Sequence, residues 1–385
     1  MIPYARQNIS EADVAAVVDV LRSDWLTQGP SIERFEDAVR ARTGAGHAVA
    51  MHNGTAGLHL ACLALDLGPG DALWTSANTF AASANCARYC GASVDFVDIE
   101  PDTYNMSVPA LREKLVAAER SGRLPKIVVP VHFGGQPCDM PAIAELSARY
   151  GFRIVEDASH ALGAELAGQK VGSCTHSDIA VLSFHPVKII TTGEGGMALT
   201  NRADLARRLR LLRTHGITRD PSQMTRQGEG AWYYEQIELG FNYRMTDIQA
   251  VLGTSQLARL DEFITRRRQL ARRYPTVLAG LPVKLPVERA DRKSAWHLYV
   301  INVDGRSRKP RRAVYDAMRE HGIAVNVHYL PVYLLPYYRA LGFSEGLCPA
   351  AENYYHAALT LPLFPALTDA EQDKVGQALR QALDA

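Results

Sequence analysis

Short apolar runs rich in Val and Ile recur along the chain between stretches of helical period. They predict strands at Ala48–His52, Ala72–Ser76, Val94–Ile99, Lys126–Phe133, Arg153–Asp157, Ile179–Phe184 and Met197–Thr200. Runs apolar on both faces, alternating with helices, describe an α/β protein whose mostly parallel sheet is covered on each side by crossover helices. Between the first two strands, Ala56, Leu58, Ala61, Cys62 and Leu65 keep the spacing of a buried helix. Gly68-Pro69-Gly70 closes it, and it begins directly after Asn53-Gly54-Thr55.

Beyond about residue 255 the texture changes. A basic helix, Leu257 to Tyr274, leads to strands at Trp296–Val303 and Ala324–Tyr329 with the helix Arg311–His321 between them. The expected division is an N-terminal segment plus large domain over residues 1–255 and a smaller C-terminal domain over 256–385. The chain's 385 residues exceed the ~250–300 at which one core stops growing. Asp220–Glu235 has little periodicity and reads as a surface loop of the kind that covers a site.

Charge narrows the partners. With 42 basic against 41 acidic residues, no global field draws the protein to nucleic acid or an anionic membrane, which leaves small molecules and copies of itself. The basic runs Arg266–Arg268, Arg272-Arg273 and Arg306–Arg312 alternate with acids and apolar residues, the pattern of a solvated helix face. Six cysteines without a Cys-x-x-Cys pair fit neither a disulfide scaffold nor a zinc site. His52, His132, His185 and His215 each lie near a motif without a second ligand at metal spacing, so no metal is expected. No stretch approaches ~18 consecutive apolar residues, and the N-terminus lacks a charged head before an apolar core; a cytoplasmic protein is expected.

Four groups of residues are placed where a phosphorylated, aldehyde-bearing pyridine coenzyme would need them. Gly54-Thr55-Ala56 lies between a strand and a helix N-terminus, where free N–H groups favour a phosphate; a plain tight turn is as good a reading. Asp157 ends the run Phe152-Arg-Ile-Val-Glu-Asp157, at the sheet edge where open α/β sheets bind ligands; a helix N-cap is equally compatible. Phe80 follows a strand and is either a stacking face or core. Lys188 follows Ile179–Phe184 and precedes Thr191-Thr-Gly-Glu-Gly-Gly196; alone it is a loop lysine, but in this company it is the candidate amine.

The runs at 152–164 and 183–196, with Gly-Phe-Asn-Tyr-Arg-Met-Thr-Asp-Ile-Gln-Ala (240–250) and Val-His-Tyr-Leu-Pro-Val-Tyr (327–333), resemble the DegT/DnrJ/EryC1/StrS sugar aminotransferases over almost the whole chain. That resemblance implies the fold type I, aspartate aminotransferase-like architecture of pyridoxal-phosphate enzymes. It also implies the coenzyme pyridoxal 5'-phosphate, with phosphate contacts from Thr55, Ala56 and Ser183, ring stacking by Phe80, Asp157 at the pyridinium nitrogen and the covalent link at Lys188. His160 replaces the glutamine of many members, beside the coenzyme's phenolic oxygen. Asn242 is implied to reach the phosphate in a neighbouring subunit, which makes the active unit a homodimer.

Trp25-Leu-Thr-Gln-Gly29, Ser83-Ala-Asn-Cys-Ala87 and the run from His185 to Glu194 are most similar to the family's pseudaminic acid branch. Tyr4, Asp24, Trp25, Leu26, Thr27, Asn326, Val327, His328 and Tyr329 match positions around its sugar nucleotide. The implied reaction moves an amino group from L-glutamate, leaving 2-oxoglutarate, to C4 of UDP-2-acetamido-2,6-dideoxy-β-L-arabino-hexos-4-ulose. Alternatives are amination at C3 or C4 of another nucleotide-linked keto sugar, a sugar dehydratase, where histidine replaces the lysine, and a regulator without catalysis.

Overall fold

The computed structural model describes residues 1–226, 228, 230–303, 307 and 309–384; within the basic run 306–312, Arg306 and Arg308 lie outside the described residues. Strands β1 (His47–Met51), β2 (Ala72–Ser76), β3 (Ser93–Val97), β4 (Ile127–Val129) and β5 (Arg153–Asp157) belong to the central sheet. After a hairpin of β6 (Glu165–Leu166) and β7 (Gln169–Lys170), β8 (Ile179–Ser183) and β9 (Gly196–Thr200) complete it. The order is β1-β9-β8-β5-β4-β2-β3. β9 runs antiparallel to both neighbours, and the pairs from β8 through β3 are parallel.

Helices α1 (Glu11–Leu21) and α2 (Pro30–Thr43) precede the sheet; α3 (Gly54–Ala64), α4 (Ala82–Tyr89), α5 (Val108–Ser121), α6 (Met140–Tyr150) and α7 (Ala203–Arg213) accompany it. Alternation along the strands sorts the core. Leu73, Ile127, Val129 and Val155 pack with the residues of α3 and α4. Trp74, Val128 and Ile154 pack with those of α5 and α6. Glu156 and Asp157 therefore leave β5 on opposite faces, Asp157 on the α3–α4 side.

The sheet is the predicted one, with ends moved by one or two residues except at β4. There the run Lys126–Phe133 is strand only over Ile127–Val129, because Pro130 cannot donate to the ladder and the chain turns through a 3-10 segment at Phe133–Gly135. Small strands β10 (Ile217–Thr218) and β11 (Glu235–Gln236) brace the base of the loop 219–234, and β12 (Arg292–Lys293) pairs with β6. The expected helix from Leu257 to Tyr274 begins instead inside α8 (Asp247–Ala258), which breaks at Arg259 before α9 (Leu260–Val277).

A separate core gathers residues between Leu270 and Leu383 from α9, β13 (Tyr299–Asn302), α10 (Arg311–Glu320), β14 (Ala358–Leu361) and α13 (Asp369–Asp384), the short α11 (Pro336–Arg339) and α12 (Pro349–Ala357) intervening. β13 pairs with β14. Ala324–Tyr329, expected as a strand, makes among the described residues a single bridge, from Asn326 to Thr360, and then turns toward the central sheet. Its main chain is committed elsewhere: Tyr329 N–H donates to the Asn78 side chain and Val332 N–H to the Ala77 carbonyl. Among the described residues no helix is long and apolar enough to cross a membrane.

Candidate active site

Three strand ends converge on one cleft. At the first, α3 starts one residue after Asn53, whose side chain caps it by accepting the Ala56 N–H at 2.8 Å. That bond commits the Ala56 amide locally, so Gly54 and Thr55 carry the uncapped N–H groups of the turn. A Cβ on Gly54 would lie 3.0 Å from Ser183 Cβ, and one on Gly196 would lie 2.3 Å from the Asn53 carbonyl. The two glycines let β8 and β9 close against the helix start, which sets the Ser183 hydroxyl beside it. No group of the described residues hydrogen-bonds that hydroxyl.

At the second strand end, buried Asp157 accepts the Ser83 hydroxyl on Oδ2 at 2.6 Å and the Ser159 N–H on Oδ1 at 3.1 Å. Its neighbour Glu156, on the other face, is taken up by His132 Nε2 at 2.8 Å and by the Ser177 hydroxyl. The cleft-facing carboxylate is Asp157.

Lys188 belongs to a loop pinned at its neck. The Phe184 carbonyl accepts both Thr192 N–H and the Thr191 hydroxyl at 3.0 Å, Phe184 N–H donates to the Gly195 carbonyl at 2.8 Å, and the Phe184 ring packs 5.1 Å from Phe35. Lys188 N–H donates back to the His185 carbonyl, and Ile189 and Ile190 are buried. The Lys188 amine has no hydrogen bond or ion pair among the described residues. Burial lowers its pKa to about 8, against the opposing charge of Asp157.

Around the amine stand three histidines. His160 accepts the Gly134 N–H on Nδ1 at 3.3 Å, and its ring lies 4.4 Å from His297. Burial, then the Lys188 charge, push the His160 pKa well down; His328 falls to about 3 for the same two reasons, and His297 also falls through burial and the His160 and Lys188 charges. All three are neutral imidazoles. With Nδ1 accepting, His160 carries its proton on Nε2, 3.4 Å from the Tyr329 hydroxyl.

The segment 326–329 closes the cleft from the C-terminal core. His328 Nδ1 meets the Thr360 hydroxyl at 2.8 Å, and the Tyr354 hydroxyl donates to the His328 carbonyl at 2.5 Å. The Tyr329 ring lies 6.3 Å from that of Phe80, a residue 59% exposed and therefore a cleft wall, not core. Tyr4 packs 5.3 Å from His328; burial raises its pKa, partly offset by Asn326. Val327 N–H donates to the Asn326 side chain.

The structure thus brings together Tyr4, Thr55, Phe80, Asp157, His160, Ser183, Lys188 and 326–329. It leaves Asn242 exposed, paired with Thr214, and Asp24–Thr27 exposed with Thr27 bridging Thr246. Sequence reasoning passed over His297, Ser83's hydroxyl and Thr79, whose Oγ lies 2.7 Å from Ser83 Oγ. The Thr79–Ser83 spacing of four, flanking Phe80, was the available signal.

The model of the DegT/DnrJ/EryC1/StrS aminotransferase family matches residues 7–380. The chain is 38% identical over 383 residues to the spore coat polysaccharide biosynthesis protein SpsC of Bacillus subtilis, covering 98% of this chain and 96% of SpsC. Among solved structures, it is similar to Helicobacter pylori PseC, an aminotransferase involved in the biosynthesis of pseudoaminic acid. PseC aligns with TM-score 0.90 at 28% identity, over 100% of this chain and 99% of PseC. Spr1654 of Streptococcus pneumoniae aligns in its PMP form with TM-score 0.90 and in its PLP form with 0.89. Both are 30% identical, over 100% of this chain and 99% and 98% of theirs.

Proposed function

The chain belongs to the DegT/DnrJ/EryC1/StrS aminotransferase family and is a pyridoxal-phosphate-dependent aminotransferase, and we propose that it transfers the amino group of L-glutamate to C4 of a UDP-linked 4-keto-6-deoxy-N-acetylhexosamine. The observation that carries the aminotransfer reading is the partnerless Lys188 amine in a cleft shared with the charge of Asp157. The residues fit the coenzyme. Uncapped N–H groups at Gly54 and Thr55 and the free Ser183 hydroxyl would hold its phosphate, and the exposed face of Phe80 its ring. Asp157 would hold the ring nitrogen and Nε2–H of His160 the phenolic oxygen. When bound, pyridoxal phosphate supplies an aldehyde for the amino group and a protonated ring that spreads the charge left on the donor carbon.

The protein's own part is proton handling and exclusion of water. Lys188, with a pKa near 8, is neutral often enough at neutral pH to accept the proton of glutamate's α-carbon. The same Nζ then returns it. His160, His297 and His328 surround the amine as neutral imidazoles, so the neutral form of Lys188 is favoured by its burial and not by a neighbouring positive charge. Tyr329 and Tyr4 shield the opening on the side of the C-terminal core.

The sugar assignment is supported by the branch resemblance at 25–29 and 83–87 and by the likeness to PseC over the full chain. Tyr4, Asp24–Thr27 and 326–329 would surround the sugar nucleotide, with Asn242 reaching a second subunit's phosphate in a homodimer. The chain from residue 256 onward would act as the smaller domain. The test is amine transfer from glutamate to a panel of UDP- and dTDP-linked keto sugars, the product's ring position and stereochemistry read by NMR. A C4 amine on the UDP-linked sugar is expected. Preference for a dTDP-linked or 3-keto sugar overturns the substrate, and no 2-oxoglutarate from glutamate overturns the donor.

A further inference from the structure

Asp157 does not stand alone. Its Oδ2 accepts the Ser83 hydroxyl at 2.6 Å, and Ser83 Oγ lies 2.7 Å from Thr79 Oγ1. All three side chains are buried. Direction follows from chemistry: an ionised carboxylate only accepts, so Ser83 spends its one proton on Asp157 and must receive from Thr79. The result is a two-hydroxyl chain, Thr79 to Ser83 to Asp157, with every donor aimed at the carboxylate.

The geometry points to Ser83, backed by Thr79, as a positioning residue that orients the Asp157 carboxylate and supports its negative charge toward the ring nitrogen. The inference rests on the reading that Asp157 faces that nitrogen. A buried carboxylate needs donors to remain charged. Here Oδ1 is served by the Ser159 N–H of its own turn, while Oδ2 depends on a side chain 74 residues distant, at the start of α4. The other groups that feel the Asp157 charge are Lys188 and Tyr329, and neither donates to it.

One segment thereby carries two tasks. Thr79 and Ser83 bracket Phe80, so the residue offered as the stacking face and the hydroxyls that steady the carboxylate move together. Cys86, one turn on, fixes that segment by donating its thiol to the Ser83 carbonyl at 3.2 Å.

The test compares Ser83→Ala, Ser83→Thr and Thr79→Val with the wild-type holoenzyme, reading coenzyme dissociation constant, the pH titration of coenzyme absorbance, and kcat and KM for glutamate. Ser83→Ala should weaken coenzyme binding about tenfold, shift the absorbance midpoint by at least about half a pH unit, and lower kcat with little change in KM. Ser83→Thr keeps the hydroxyl and should restore all three. Thr79→Val should move them the same way by less. Wild-type absorbance titration and coenzyme affinity in Ser83→Ala, or Ser83→Thr as impaired as Ser83→Ala, overturns the inference. Should Ser83→Ala fail to fold, an unshifted Thr79→Val titration overturns it. Asp157→Asn separates the levels: if it abolishes turnover while Ser83→Ala changes nothing, only this inference falls. If Asp157→Asn is itself without effect, the placement of Asp157 falls and this inference with it.

Discussion

At the ends of β5 and β8 each candidate side chain is held by backbone of the central sheet, whereas Asp24–Thr27 ride on an exposed segment whose bridge to the rest of the protein is that from Thr27 to Thr246. The first region has its geometry before any ligand arrives. Asp157 is fixed by two donors and Lys188 by a loop pinned at Phe184. The second has exposed side chains, with Trp25 54% and Leu26 48% accessible, and would take its working shape from what it touches. The lysine and the carboxylate are built into the sheet; on the proposed reading, discrimination among sugars would be left to segments that can change without disturbing it.

The largest effect that would break this contrast belongs to Lys188. Lys188→Ala should cut the glutamate half-reaction by about 10²–10⁴-fold, read in a single turnover, while Trp25→Ala leaves that half-reaction untouched. Comparable losses from both would erase the distinction.

Next come the paired carboxylates of β5. Asp157→Asn should lower turnover by roughly 10²-fold with the fold intact. Glu156→Gln, one residue away on the opposite face, should leave turnover unchanged but lower stability by about 1–3 kcal/mol, because His132 and Ser177 lose a buried partner. Denaturant midpoints and kcat together read both. A reversed pattern would place the working carboxylate on the wrong side of the sheet.

A smaller effect lies in pH. Burial lowers the Lys188 pKa to about 8, so its neutral form grows as pH rises toward 8 and saturates above. Coenzyme capture by stripped protein should therefore speed up about tenfold per pH unit below 8 and then level off, followed by absorbance after mixing. A plateau reached only near pH 10 would mean that the lysine is solvated like the exposed segments. The smallest effect is Trp25→Ala on the sugar: a KM up to about tenfold higher at constant kcat with saturating sugar.

The same contrast explains what the sequence could disclose. Strand ends were legible because apolar runs end abruptly at Asp157 and Ser183, and the motifs after them follow in order. Asp157 was named there and, through the resemblance, at the ring nitrogen, but that it lies on the opposite face from Glu156 and on the α3–α4 side rests on an alternation whose sense the packed helices supply. Ala324–Tyr329 has strand composition but spends its amides on Asn78 and Thr360, partners that no local pattern reveals. Ser83 entered as part of a branch motif, and its hydroxyl gained a partner because folding brings it to a carboxylate 74 positions later. The Asn53 cap on the Ala56 amide was written plainly in Asn53-Gly-Thr-Ala56, yet it competes with a phosphate reading of the same residues.

β1 meets the sheet only through β9, about 150 residues later in the chain, and Gly196 of β9 is the residue that lets Asn53 and Gly54 close. While the chain is being made, the first strand and the helix start behind it must wait for the last strand to slot between β1 and β8, a long loop to close. The end of the cleft between Gly54 and Ser183, proposed to hold the phosphate, is thus among the last parts to form. Coenzyme uptake during refolding should trail the gain of helical signal and mark the moment when the sheet becomes whole.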